Sequence, residues 1–242
     1  SKDFEFLANQ LKHHYRVISP DLPGRGLTSS RSVESDFGMS ANVADAINLI
    51  AHHASAPFDL LGTSMGGIMS MILASRVNSP VRKLVLNDIG PFVPAEIFEA
   101  VSVHEKNKPL SFDNFDEALA FNKTYCRSFG PMTEDQWIDF THAGTQKNAD
   151  GSYRVDYDNK VHHHMITDLP GDVDLWHLWD KITCPVLVIR GEHSVALPRE
   201  TSLQMQERGP KTTIIEIPDT GHAPHLLSTA QTDIIQKWLL SD

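Results

Sequence analysis

With 242 residues, 40% hydrophobic content and a formal charge of -10 at pH 7, the chain can bury one main core and still carry an insertion. The negative charge repels a phosphate backbone, and no basic run or basic-aromatic stripe outweighs it, which excludes nucleic acid as an expected partner. No apolar run approaches the roughly 20 residues of a bilayer span, and Ser1-Lys2-Asp3-Phe4 lacks signal-peptide character, so a protein with no membrane association is expected. Cys126 and Cys184 lie far apart and match no metal or redox spacing. They read as buried free thiols, which suit a reducing cytoplasm.

Phe4, Leu7, Ala8 and Leu11 recur at helical spacing, and Arg16 to Asp21 then reads as a short buried strand ending in a Pro/Gly-rich loop. Val43, Ile47 and Ile50 mark a second amphipathic helix. The strand Phe58-Asp59-Leu60-Leu61 runs into Gly62-Thr63-Ser64-Met65-Gly66, and a third helix is expected from Gly67 to about Val77. Val81 to Asn87 is the next strand, ended by Asp88-Ile89-Gly90-Pro91. This alternation of strands and helices predicts an α/β fold, a mostly parallel sheet covered on both faces. From Phe92 to Trp179 the alternation stops and the segment reads as helices, an inserted lid in a core made of residues 1–91 and 180–242. Thr133-Glu134-Asp135-Gln136 has capping-box form. Strands resume at Pro185 to Ile189 and Thr213 to Ile217. Leu226, Leu227, Ala230, Ile234, Trp238 and Leu239 define the buried side of the last helix.

A serine hydroxyl is a poor nucleophile at neutral pH, so it needs a base for its proton and donors for the oxyanion that forms. In G-x-S-x-G the glycines let a strand turn abruptly into a helix, lifting the serine above the sheet and bringing the next backbone N–H toward the oxyanion. Here these are Ser64 and the Met65 N–H. The pattern alone is weak, but an apolar strand precedes it and a small-residue helix follows. His222, in Asp219-Thr220-Gly221-His222-Ala223-Pro224-His225 after the last strand, stands where the base belongs. His225 reads as a bystander.

With Asp21-Leu22-Pro23-Gly24-Arg25-Gly26, the elbow, Leu84 to Pro91, Val188 to Glu192 and Gly221 to Pro224, the chain resembles the α/β-hydrolase superfamily. The resemblance is to its lid-bearing branch of esterases and carbon-carbon bond hydrolases, and it runs over essentially the whole sequence. It implies an aspartate at 194 or 195, where the sequence has Ser194 and Val195. Some superfamily members carry the acid one strand earlier, which makes Asp88 the first candidate and Glu192 the second. The resemblance also implies three strands and a His-Gly oxyanion loop ahead of Lys2. These first strands of the usual fold are absent from the 242 residues, and the natural protein is expected to carry them upstream.

Other features have blander readings. Adjacent His162, His163 and His164 point in different directions on a helix and suit a polar surface better than a metal. Asp21 and its glycines read as a tight loop. Phe92, Trp137 and Trp176 are the candidate apolar pocket walls; Met132 is a further one, and Trp176 sits in a stripe with Leu175, Leu178 and Trp179 that more often means packing. The function expected is a serine hydrolase of small or medium carboxylic esters, using neither metal nor organic cofactor. A carbon-carbon bond hydrolase, or a non-catalytic binding protein that has lost the acid, stands as the alternative.

Overall fold

The computed structural model describes residues 2–33, 37–54, 57–158, 160–161 and 171–241. In chain order its elements are α1 (Glu5–Leu11), α2 (Met39–His53), β1 (Phe58–Thr63), α3 (Met65–Ala74) and β2 (Val81–Asn87). Next come β3 (Phe92–Val93), α4 (Ala95–Lys106), β4 (Ser111–Phe112), α5 (Phe115–Tyr125), α6 (Glu134–Gly144), β5 (Thr145–Lys147), β6 (Tyr153–Val155) and β7 (Val173–Asp174). The chain closes with α7 (Trp176–Trp179), β8 (Val186–Gly191), α8 (Arg199–Glu207), β9 (Thr212–Ile217) and α9 (Thr229–Leu240).

Strands β1, β2, β8 and β9 form a parallel sheet in that spatial order. Successive side chains of a strand point to opposite faces, so a strand buried on both sides is apolar throughout. Leu84, Leu86, Val186 and Val188 pack on one face with Ile68 and Met71 of α3. Val85, Leu187 and Ile189 pack on the other with Leu7 and Leu11 of α1 and Ile235 and Leu239 of α9. Each such side chain is fully or nearly fully buried and contributes about 1.5–3 kcal/mol of transfer free energy. Lys83 is buried at the second face, and its ammonium donates to the carbonyls of Trp238 at 3.1 Å and Leu239 at 3.2 Å, and to Ser241. A cation therefore sits where the α9 dipole is negative and its last carbonyls lack helical partners.

Three expectations change. Arg16 to Asp21 forms no strand; it joins no ladder among the described residues, and Val17 and Ile18 stay 39% and 40% exposed. An apolar run becomes a strand only where a neighbour takes its N–H and C=O groups. The segment between β2 and β8 is not purely helical. Its ends pair as β3 and β7, with Phe92 opposite Asp174 and Val93 opposite Val173, and β4, β6 and β5 make a small antiparallel sheet. On α9 the buried stripe is Gln231, Thr232, Ile235 and Leu239, while Ala230 is exposed and Leu226 and Leu227 precede the helix. Gln231 is inside because its Oε1 accepts the Leu226 N–H at 2.7 Å.

The capping box is present: Thr133 Oγ1 accepts the Gln136 N–H, and Gln136 Oε1 accepts the Thr133 N–H. Gln136 also donates to the Leu227 carbonyl at 2.7 Å, joining α6 to the segment before α9. Cys126 and Cys184 are both buried, and no disulfide joins them. Trp179 is wholly buried and donates to the Arg208 carbonyl at 2.9 Å, in keeping with the packing reading of that stripe. His162 to His164 lie outside the described residues, and no helix among those described is long and apolar enough to cross a membrane.

Candidate active site

Ser64 stands between β1 and α3 at φ 50° and ψ -118°, a positive-φ conformation that costs a non-glycine residue about 1–3 kcal/mol. Its surroundings hold it there. Its N–H donates to the Asn87 carbonyl at 3.2 Å, and its carbonyl accepts from Gly67 at 2.8 Å and Ile68 at 3.1 Å. The glycines serve this turn unequally. A Cβ on Gly62 would collide with the Gly66 carbonyl, and one on Gly67 with Ile89, whereas at Gly66 it would meet open space. Met65 opens α3, so its N–H belongs to the first-turn donors that a helix leaves without an internal acceptor.

Asp88 follows β2, is wholly buried, and also has a positive φ, 57°. An ionised carboxylate in such a place needs several donors. Oδ1 accepts the Gly191 N–H at 2.7 Å; Oδ2 accepts the Ser194 hydroxyl at 2.6 Å and His222 Nδ1 at 2.8 Å. His222 Nε2 lies 2.9 Å from Ser64 Oγ. With the carboxylate accepting at Nδ1, the neutral ring carries its proton there and leaves Nε2 to accept from the serine. The His222 side chain is 23% exposed, so this chain of contacts runs from a buried carboxyl group to the serine beside the cavity.

The His222 loop is fastened from three sides. Gly221 donates to Ser128 at 2.6 Å, His193 to the Thr220 carbonyl at 2.8 Å, and Asn87 Nδ2 to the Pro224 carbonyl at 2.9 Å. Glu192, the second candidate acid, is exposed; its carboxylate accepts the Asp219 N–H at 3.0 Å and lies 3.9 Å from His193 Nε2. The structure thus brings Asp88, and not Glu192, to His222. Glu192, His193 and Asp219 are the one described trio spaced near metal-ligand distances, all exposed. His225 is half-buried, with Nδ1 accepting the Leu227 N–H at 2.9 Å; desolvation by burial holds its pKa below the usual histidine range, opposed by a bond to the Pro131 carbonyl.

A small apolar cavity of about 40 Å³ opens beside Ser64 and His222, lined by Ile68, Ile89 and Val93 and by Ile97, Phe98 and Val101 of α4. None of Phe92, Trp137 and Trp176 lines it. Phe92 is paired in β3, Trp137 meets Phe140 edge-on, and Trp176 lies under the Arg208 guanidinium, 4.7 Å from its ring centroid. The wall comes instead from Ile97, Phe98 and Val101, at i, i+1 and i+4 of α4, so the apolar lining expected of the inserted segment is supplied by other residues than the three named. Met132 is not among the cavity residues either. Asp21 stays in its loop, with Oδ2 accepting the Leu27 N–H at 3.2 Å. Ser194 was missed as a site residue, although it occupies one of the two positions where the resemblance implies an aspartate.

A parallel sheet bearing a strained serine, a histidine and a carboxylate on the loops that follow its strands defines the class of α/β hydrolases. Residues 1–234 match the family model described as the alpha/beta hydrolase family, and the chain belongs to that family. It is 36% identical over 241 residues to the 3-hydroxybutyrate-oligomer hydrolase of Cupriavidus necator, covering 96% of this chain and 82% of that protein. It is 24% identical over 227 residues to a pimeloyl-[acyl-carrier protein] methyl ester esterase of Neisseria meningitidis, covering 92% and 81%. An α/β hydrolase from Novosphingobium aromaticivorans superposes with a TM-score of 0.88 at 29% identity, over 98% of this chain and 84% of that one. The protein is a hydrolase of this family.

Proposed function

We propose that the protein is a serine esterase. Ser64 Oγ attacks the carbonyl carbon of a carboxylic ester while His222 Nε2 takes its proton, and Asp88 orients the imidazole and balances its positive charge. The Met65 N–H receives the oxyanion, and the adjoining N-terminus of α3 favours the negative charge. Collapse of the tetrahedral intermediate breaks the C–O bond, and His222 returns the proton to the departing alcohol. Water, deprotonated by the same imidazole, then releases the acid from Ser64. No step calls on a metal or organic cofactor.

The carrying observation is the unbroken contact from Ser64 Oγ to His222 at 2.9 Å and on to Asp88 at 2.8 Å. The Asp88 carboxylate at His222 supports this reading over that of a protein that only binds because it lacks the acid. The apolar wall beside Ser64 suits the acyl part of an ester. One relative is named for a hydroxy-acid oligomer and another for a methyl ester, so short oligomers of hydroxy acids and simple alkyl esters are the substrates to try first. The test is labelling of the full-length protein by a fluorophosphonate, with a Ser64→Ala control. Modification confined to Ser64, with turnover of p-nitrophenyl acetate to octanoate, is expected. A folded protein that neither labels nor turns over these esters would overturn the proposal.

A further inference from the structure

We infer that Ser194 is a positioning residue of this site: its hydroxyl fixes the Asp88 carboxylate that orients His222. The inference rests on the esterase reading above. Asp88 is wholly buried and has three donors, of which Gly191 N–H is backbone and His222 is the group being oriented. Ser194 supplies the third, at 2.6 Å to the same oxygen, Oδ2, that meets His222. A hydroxyl has one proton and can accept as well as donate. Here Ser194 Oγ accepts the Leu197 N–H at 3.1 Å, which leaves its proton to point at Asp88.

The backbone around Ser194 is fastened just as closely. Its N–H donates to the Gly191 carbonyl at 2.9 Å, and its carbonyl accepts from the buried Arg190 guanidinium at 3.4 Å. Arg190 also donates to Leu197 at 2.8 Å and Glu192 at 3.2 Å, so one side chain holds the carbonyls across the loop that presents Ser194. Val195, by contrast, points out, 64% exposed. Of the two positions where the resemblance implies an aspartate, 194 is the one turned toward the imidazole's partner.

Two consequences follow. Without the Ser194 proton, Oδ2 keeps only His222, its negative charge is less spread, and the imidazolium is held more tightly, so the acid limb of the pH-rate profile moves to higher pH. Second, a carboxylate at 194 can take over. Ser194 Oγ and His222 Nδ1 lie 2.6 and 2.8 Å from one oxygen, and an aspartate reaches one bond further than a serine.

The experiment measures kcat, KM and pH-rate profiles of the full-length protein with p-nitrophenyl butyrate. Ser194→Ala is expected to lower kcat about tenfold with KM unchanged and to shift the acid limb upward, the loss typical of one hydrogen bond to a charged group. Ser194→Cys, which keeps the volume but donates weakly, is expected to behave likewise and serves if the alanine variant does not fold. Asp88→Asn with Ser194→Asp is expected to recover at least tenfold over Asp88→Asn alone. Folded Ser194 variants with wild-type kcat and pH profile would overturn the inference. In that event fluorophosphonate labelling of wild-type Ser64 separates the two ideas: labelling leaves the esterase reading intact, and its absence defeats that reading as well.

Discussion

Gly221 donates its N–H to the Ser128 carbonyl at 2.6 Å, so the loop that carries His222 is bonded to the segment that joins β2 to β8. The contact is close on both sides. Gly130 stands at φ 100°, and a Cβ there would collide with the hydroxyl of the buried Thr220. Gly130→Ala is therefore expected to destabilise the protein by about 1–3 kcal/mol through the left-handed backbone and the clash. It should also lower kcat by displacing His222. Thermal melts and steady-state kinetics on an ester check this, and unchanged values for both would show that the brace does not matter.

The elbow glycines make a second prediction. Gly62→Ala and Gly67→Ala should each cost roughly 3 kcal/mol or more, because the new methyl meets backbone at Gly66 in one case and the Ile89 side chain in the other. Gly66→Ala meets nothing and lies in the first turn of α3, where exchanging glycine for alanine favours the helix by about 0.5–1 kcal/mol. Chemical denaturation of the three variants should rank Gly66→Ala at or above wild type.

The two carboxylates considered for the acid should separate cleanly. Asp88→Asn removes the acceptor that selects the Nδ1–H tautomer, and its kcat should fall on the order of 10⁴. Glu192→Gln keeps an oxygen for the Asp219 N–H and leaves His222 untouched. Its kcat should stay within about twofold of wild type, given its exposure. Equal losses in both would contradict the assignment of Asp88.

His225 gives a prediction about stability and pH. Burial lowers its pKa in the folded state, and in the unfolded chain it titrates near the ordinary 6.5 or so. Below that value the unfolded state binds more protons than the folded one, so stability falls with acidification; above it the contribution is fully present. Protonation of Nδ1 would also break the bond from the Leu227 N–H. Melting temperatures between pH 8 and pH 5 should decline less steeply in His225→Asn, whose amide oxygen can accept the same N–H without titrating. Identical slopes would place the acid sensitivity elsewhere.

Local signals carried much of this fold into the sequence. Strand β2 has the continuous apolar run Leu84, Val85 and Leu86 because both its faces are covered, and the capping box at Thr133 is a contact between residues three apart. The elbow was legible for the same reason: it is local and sterically strict. Ser194, Asn87 and the cavity wall on α4 were not, since their meaning comes from which loops the sheet order brings together. Arg16 to Asp21 failed in the opposite sense. Its composition suits a strand, but pairing depends on a neighbour that composition cannot reveal. The acid lay between these cases, with Asp88 and Glu192 both plausible until distance to His222 separated them.

Because β2 and β8 are adjacent in the sheet, the loops that follow them deliver Asp88 and Ser194 to the same point beside one imidazole. Recovery of Asp88→Asn by Ser194→Asp would mean that the fold offers two addresses for one negative charge while nucleophile and base keep their places. A pattern search that insists on an aspartate after β8 passes over a chain like this one. A search that accepts a carboxylate after either of two neighbouring strands retrieves it.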